Sequence, residues 1–241
     1  MTHSTESPAL ATKFDLDALN QRFELGSPKD ILRWCVENIP TGFVQTSAFN
    51  VDDLVITDIL YRELKQQTPV IFLNTLYHFP ETLELVAKAK EIYNLNLKVY
   101  KTPDADSREA FTARYGDALW DKDILQFHQI TKIEPLNRGL AELNTVAWIT
   151  GRRRDQATTR ADMPVFELDK EQRIKVNPLA NWTRPESWAY AIEHEMIYNP
   201  LHDQGYPSIG DEPLTTQVKE GEDERAGRWR GSDKTECGIH L

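Results

Sequence analysis

The sequence predicts an α/β protein, a parallel twisted sheet covered by helices. Three observations predict it. Strand-length apolar runs such as Pro69-Val70-Ile71-Phe72-Leu73 are continuous rather than alternating, as in strands buried on both faces. Helical stretches separate them and are long enough for crossovers between parallel strands. Start and stop residues frame those stretches: Ser27-Pro28, Pro80-Glu81 and Tyr115-Gly116.

In chain order, residues 1–12 read as a loose leader and Phe14 to Leu25 as a helix. Ser27 caps a second helix in which Ile31, Leu32, Cys35, Val36 and Ile39 form an apolar stripe. Cys35 belongs to that stripe and reads as a small core residue. Gly42 to Thr46 is a strand, and a polar turn leads from it into a helix over 51–66. Pro69 to Leu73, Leu97 to Tyr100 and Thr145 to Thr150 are further strands, and Val165–Leu168 with Arg173–Val176 a last pair. Helices are expected over 80–93, 107–115, 123–143 and 183–195. After Gly205 the pattern stops, and Gly, Pro and charge dominate. The expected organisation is an α/β domain over 1–205, with a helical lead-in over 1–40, and a flexible C-terminal arm over 206–241.

Composition narrows the function. A net charge of -10 argues against general nucleic-acid binding, which neutralises phosphates. A small anion remains possible where positive charge is gathered locally. No run approaches the ~18 apolar residues of a membrane span. The N-terminus lacks a basic region followed by an apolar one, so no secretory signal is read. Two cysteines suit a reducing cytosol, and cytoplasmic localisation is expected.

Three constellations carry chemistry. The turn Gln45–Asp52 feeds a helix N-terminus, where free amides and the helix dipole favour an anion, and Thr46 and Ser47 add hydroxyls. It reads equally well as an ordinary βα turn, and it lacks the Gly-Lys-Ser/Thr of common NTPases. Gly151-Arg152-Arg153-Arg154, followed by Arg160, leaves a strand at the ligand-binding end of the sheet, where guanidinium groups match phosphate or sulfate oxygens. The alternative is a solvated charge run balanced by Asp155 and Asp162. The arm brings Lys219, Arg225, Arg228, Arg230, Lys234, Cys237 and His240. Nearby cations favour the Cys237 thiolate, the nucleophilic form. A charged tail with an incidental cysteine is the alternative there. The remaining histidines, at 3, 78, 128, 194 and 202, show no metal-ligand spacing.

Glu220-Gly-Glu-Asp-Glu-Arg-Ala-Gly-Arg-Trp229 with Lys234-Thr-Glu-Cys-Gly-Ile-His240 closely resembles the C-terminus of phosphoadenylyl-sulfate (PAPS) reductases. So do Thr75–Pro80, Tyr115–Trp120, Lys132-Ile-Glu-Pro135, Gly151–Arg154 and Asn177–Trp182. The motifs stand in family order from about Gln45 to His240. The resemblance implies an adenine nucleotide α-hydrolase-like, Rossmann-like fold with a modified pyrophosphate loop. It implies reduction of PAPS to sulfite and adenosine 3′,5′-bisphosphate, with thioredoxin or glutaredoxin as electron donor, and commonly a homodimer. Carried over by motif, Cys237 would attack sulfur with His240 and Lys234 assisting. Thr46, Ser47, Phe49, Lys132, Arg153, Arg154, Arg160, Arg225 and Arg228 would bind substrate.

Relatives that reduce adenylyl sulfate usually hold a four-iron cluster on a Cys-Cys pair before the Lys-x-Glu-Pro motif and a Cys-x-x-Cys after Ser-Ile-Gly. Here those places read Phe127–Thr131 and Asp211–Leu214, without a thiolate, so no iron–sulfur cluster and no resident metal are expected. That favours the PAPS branch. Asn74 and Ala157 depart from the usual Asp and Ser. Two alternatives are a catalytically impaired nucleotide-binding relative, for which Asn74 is the only support, and an ATP-using adenylyl transferase of the same fold, which the turn without its glycine pair disfavours.

Overall fold

The computed structural model describes residues 13–229 and 238–239. The strands are β1 (Phe43–Thr46), β2 (Val70–Leu73), β3 (Leu97–Tyr100), β4 (Ala147–Ile149), β5 (Phe166–Leu168) and β6 (Ile174–Val176). They form one sheet of six in the order β3-β2-β1-β4-β6-β5. Every neighbouring pair is parallel except β5–β6. The chain steps outward from β1 through β2 to β3, then returns to the other side of β1 with β4. That reversal opens a crevice beyond the carboxyl ends of β1 and β4, where open α/β sheets bind ligands.

The helices follow the predicted caps. Leu16–Phe23 (α1) precedes Pro28–Asn38 (α2), whose N-cap Ser27 accepts the Asp30 amide at 3.1 Å. Val51–Asp58 (α3) runs from the turn after β1 and ends in a wide π turn, Ile59–Glu63. Pro80–Tyr93 (α4) has the predicted bounds and stops at Asn94 in the left-handed region. Arg108–Tyr115 (α5) ends at Gly116. Arg184–Glu193 (α9) is opened by a capping box between Thr183 and Glu186.

Side-chain alternation sorts the core onto two faces. Phe43, Val70, Phe72, Ala147, Ile149, Ile174 and Val176 pack under α1 to α4 and α9. Val44, Ile71 and Trp148 face the other way, against Leu136, Leu140 and Ile239. Cys35 is fully buried in the first cluster, as its stripe predicts. The lead-in also protects a sheet edge. The Asn20 side chain donates to the Phe166 carbonyl at 2.9 Å and accepts its amide at 2.8 Å, as a neighbouring strand would.

Two stretches differ from expectation. The helix predicted over 123–143 is Ile124–His128 (α7), a π turn Gln129–Ile133, and Glu134–Glu142 (α8), preceded by Leu119–Lys122 (α6). Asp123 leaves helical angles and caps α7, its carboxylate accepting the Gln126 amide at 2.8 Å. Pro135 lacks an N–H and crowds the carbonyl one turn back, so the ladder widens just before it. Second, parts of 206–229 in the expected arm are packed on the body, while 219–223 are exposed. Asp211 pairs in an antiparallel bridge with His78, Thr215 pairs with Arg228, and Trp229 is 3% exposed.

Candidate active site

The turn after β1 is built from its own side chains. Thr46 Oγ1 donates to the Ile149 carbonyl at 2.9 Å, which locks the ends of β1 and β4 together. Ser47 Oγ accepts the Phe49 amide at 3.0 Å. Asp53, in the first turn of α3, accepts the Ala48 amide at 2.8 Å. Burial pushes the Asp53 carboxyl up to about 7, against the backbone amides of Ala48, Asn50 and Gly151 that hold its charged form. Phe49 has a positive φ of 58° and turns inward, its ring edge-on to Phe72 at 5.6 Å. Thr46 and Ser47 therefore face the crevice, and Phe49 supports it from below.

The crevice has two halves that share Asn50, Asp53 and Arg228. The first half, over the ends of β1 and β2, has an apolar wall of Ala48, Ile71, Phe72, Leu73 and Leu136. Into it comes Lys132, which stands on the π turn ahead of Pro135. Its ammonium lies 2.5 Å from Asp211, whose other oxygen accepts Thr75 Oγ1 at 2.7 Å. Burial alone would raise Asp211, but Lys132, His128 and His78 hold it well below the usual carboxylate range. His78 lines the same wall, close to the Leu73 carbonyl at 2.8 Å, and burial lowers its pKa. Asn74 Oδ1 accepts the Leu76 amide at 3.0 Å, so it shapes the turn after β2 without needing a charge.

The second half is basic. Arg153, Arg160, Arg184, Arg225 and Arg228 line it together with Asp52, Asp53 and Glu224. Arg153 is gripped by Asp52, by Asp155 at 2.9 Å and by Glu224 at 3.1 Å. Gln156 bonds both Asp52, at 3.0 Å, and Arg160. Arg225 and Arg228 lie over the Trp229 ring at 5.3 and 4.6 Å, and Arg228 also donates to the Ile209 carbonyl at 3.2 Å. Arg154 goes elsewhere. Its guanidinium turns to Glu24 beyond α1, at 2.6 Å, and to the Met163 carbonyl at 2.8 Å, outside both halves.

Cys237, Lys234 and His240 lie outside the described residues. Gly238 and Ile239 are described, and Ile239 lines the first half beside Thr46, Ser47, Lys132 and Arg228. A polar, arginine-rich cleft next to an apolar slot suits a nucleotide carrying several anionic groups.

A model of the phosphoadenosine phosphosulfate reductase domain matches residues 42–217. The chain belongs to the phosphoadenosine phosphosulfate reductase family. A phosphoadenosine phosphosulfate reductase of Emericella nidulans is 46% identical over 95% of this chain and 76% of its own length. An adenosine 5′-phosphosulfate reductase of Halalkalibacterium halodurans is 39% identical over 94% of this chain and 96% of its own. Among solved structures, the phosphate complex of the PAPS reductase of Candida auris superposes with a TM-score of 0.77 at 36% identity, covering 90% of this chain and 99% of that one. The α/β fold expected from the sequence is thus also that of the family, and this chain is an enzyme of the reductase class.

Several residues of the reductase cleft escaped sequence reasoning: Asp53, His78, Arg184, Ser187, His202 and Asp211. Asp53 had a signal, an acid in the first turn after the β1 loop. Asp211 had one too, directly after Ser208-Ile209-Gly210. The other four come from separate elements and carry no shared spacing. Gly151 has a physical reason to be glycine. A Cβ there would collide with Asp53 Oδ1 and sit 3.1 Å from its amide nitrogen. Gly151→Ala in the reductase is therefore expected to displace Asp53, cost about 1–3 kcal/mol of stability and weaken nucleotide binding. Thermal unfolding and nucleotide titration check both. Unchanged binding would show that the Asp53–Gly151 contact does not shape the cleft.

Proposed function

We propose that the chain reduces 3′-phosphoadenylyl sulfate to sulfite and adenosine 3′,5′-bisphosphate through Cys237. One observation carries this reading. Ile239 lines the same slot as Thr46, Ser47, Lys132 and Arg228, and Cys237 is only two residues away, at most about 7 Å of extended chain.

The Cys237 thiolate attacks the sulfonate sulfur. The bond between that sulfur and the bridging phosphate oxygen breaks, its electron pair stays with the nucleotide, and S-sulfocysteine remains. Lys132 and Arg228 supply positive charge near the departing phosphate, where charge develops in the transition state. A reduced dithiol protein then attacks Cys237 Sγ. Sulfite leaves with the sulfur–sulfur electron pair, and the second thiol of the partner frees Cys237 as the partner becomes a disulfide. With two cysteines in the chain and Cys35 fully buried, the second thiol has to come from outside. Thioredoxin or glutaredoxin is that donor. The substrate sites in this reading are Thr46, Ser47, Lys132, Arg153, Arg160, Arg225 and Arg228, with Phe49 under the loop, and Lys234 and His240 assist Cys237. Arg154 enters it only as a support between the cleft and Glu24. Cytoplasmic localisation and a homodimer belong to the same reading, the latter checked by light scattering.

The absence of cluster thiolates in the sequence supports PAPS rather than adenylyl sulfate as substrate, although reductases of both kinds are relatives. The test is direct. Purified protein, PAPS and reduced thioredoxin should release sulfite in step with thioredoxin oxidation. Nucleotide binding without sulfite would leave the impaired-relative reading in its place.

A further inference from the structure

The thiol that frees Cys237 arrives on a second protein, and the surface beside Cys237 limits where that protein can sit. Gly238 is the next residue. A Cβ built on it would lie 3.5 Å from Ile133 Cδ1, so the chain there runs along the π turn between α7 and α8. Ile239 lines the nucleotide slot. Gly238 and Ile239 also line a second groove, of about 450 Å³, on the face of the sheet under α8. It shares only Leu136 and Ile239 with the nucleotide cleft. Leu136, Leu140 and Trp148 are its buried floor. Gln129 and Ile133 stand on one bank, Leu168 and the β5–β6 hairpin on the other.

The helical bank carries no charge. In a chain that is 27% charged, there is no Asp, Glu, Lys or Arg from Ile124 to Thr131, and Lys132 turns inward, 8% exposed. Leu125 is 69% exposed. It stands one helical turn before Gln129, and Gln129 one wide turn before Ile133, so the three share a face. Across the groove Leu168 is 43% exposed. Asp169 on that bank is committed to Arg173 at 2.7 Å and to the Trp148 indole at 3.0 Å. Exposed apolar side chains on a strip cleared of charge match the core of a protein contact rather than ordinary solvated surface.

We infer that the strip Leu125–Gln129–Ile133, with the groove beside it, is the docking face of the dithiol protein that reduces Cys237. The inference rests on the substrate reading given above. Reach supports it. A specific contact covers about 600–800 Å² of each partner, a disc of roughly 14–16 Å radius. A partner whose thiol bonds Cys237 Sγ centres that disc on the tail, and Leu125 lies about 12 Å along the helix from Ile133, within it. The strip has no charge to pair, so the partner it fits presents an uncharged, apolar rim around its thiol. That thiolate attacks Cys237 Sγ, the bond to the sulfonate sulfur breaks and sulfite leaves with its electron pair. The partner's second thiol then closes the partner's own disulfide and restores the Cys237 thiol.

Stepwise release of the adduct tests the face. The protein is loaded with PAPS in the absence of thiol. Sulfite release is then timed with dithiothreitol, and with the faster of reduced thioredoxin and reduced glutaredoxin at subsaturating concentration. Leu125→Asp and Gln129→Glu should each form the adduct as the unmodified protein does and release it to dithiothreitol at the same rate, which also shows that they are folded. Release to the protein donor should slow roughly tenfold. Ile192→Asp, at an exposed position of α9, should change none of the three. Unaltered release to the protein donor in both strip variants overturns the inference. Equal slowing with dithiothreitol also overturns it, as does a changed mass in light scattering, which would assign the strip to a second copy of the chain. In each of these cases the adduct still forms and the substrate reading stands. If the unmodified protein forms no adduct, both fall together.

Discussion

Cys237→Ser abolishes sulfite formation and leaves affinity for adenosine 3′,5′-bisphosphate within about twofold of the unmodified protein. The expected loss is at least 10³-fold, on the scale of removing a covalent nucleophile. Two physical reasons act together. A serine hydroxyl is almost wholly protonated at neutral pH, whereas a thiol near cations is substantially thiolate. A sulfated serine would also be a dead end, because a thiol releases sulfite by attacking sulfur, not oxygen. Cys35→Ala provides the control. Cys35 is fully buried, and burial raises its thiol pKa, so it is neither ionised nor reachable. That variant should lose some stability and keep its turnover. Steady-state sulfite release and nucleotide titration separate the outcomes.

Asp211→Ala is expected to have the largest effect on stability. Asp211 is 1% exposed and accepts both Lys132 and Thr75. Lys132 is itself only 8% exposed. Removing the carboxylate strands a buried ammonium and a buried hydroxyl, and breaking such a pair costs on the order of 3–5 kcal/mol. For a chain of this size that lowers the midpoint of thermal unfolding by roughly 10 °C. Turnover should fall as well, since Lys132 loses the group that aims it. Asp211→Asn keeps the bond to Thr75 and should fall between. The pair should also set acid sensitivity in a defined direction. Asp211 is held well below the usual range when folded, so its contribution is fully present above the unfolded value of about 3.9. It is lost only as pH falls through the lower folded value. Between pH 5 and 8 the pair should therefore add no slope to stability.

Much of this was written locally in the chain. Pro80 opens α4 because proline is tolerated only at a helix start, and Gly116 closes α5 because glycine takes a positive φ at its end. β2 and β4 were legible because each is a short apolar run, Val70–Leu73 and Ala147–Ile149, and β4 ends before the breaker Gly151. The Gly151–Arg153 segment was placed at the cleft because it leaves a strand at the ligand-binding end. What failed to show was pairing at a distance. Residues 206–241 read as a flexible arm from composition, yet Asp211 is buried because Thr75 and Lys132, 136 and 79 residues away, receive it. Arg153 and Arg154 are adjacent in sequence, but backbone geometry sends one into the cleft and the other to Glu24. Ser187 and His202 had no spacing to betray them, since a shared cavity wall rather than a motif brings them together.

The claim on which everything turns is that Cys237 takes the sulfonate from the nucleotide. Mixing the protein with PAPS in the absence of any thiol, followed by intact-mass and peptide mass spectrometry, reads that step alone. The account predicts a mass gain of one sulfonate group on the peptide that contains Cys237, released by reduced thioredoxin and absent in Cys237→Ser. Bound nucleotide with an unmodified Cys237, or the adduct on any other residue, would contradict it.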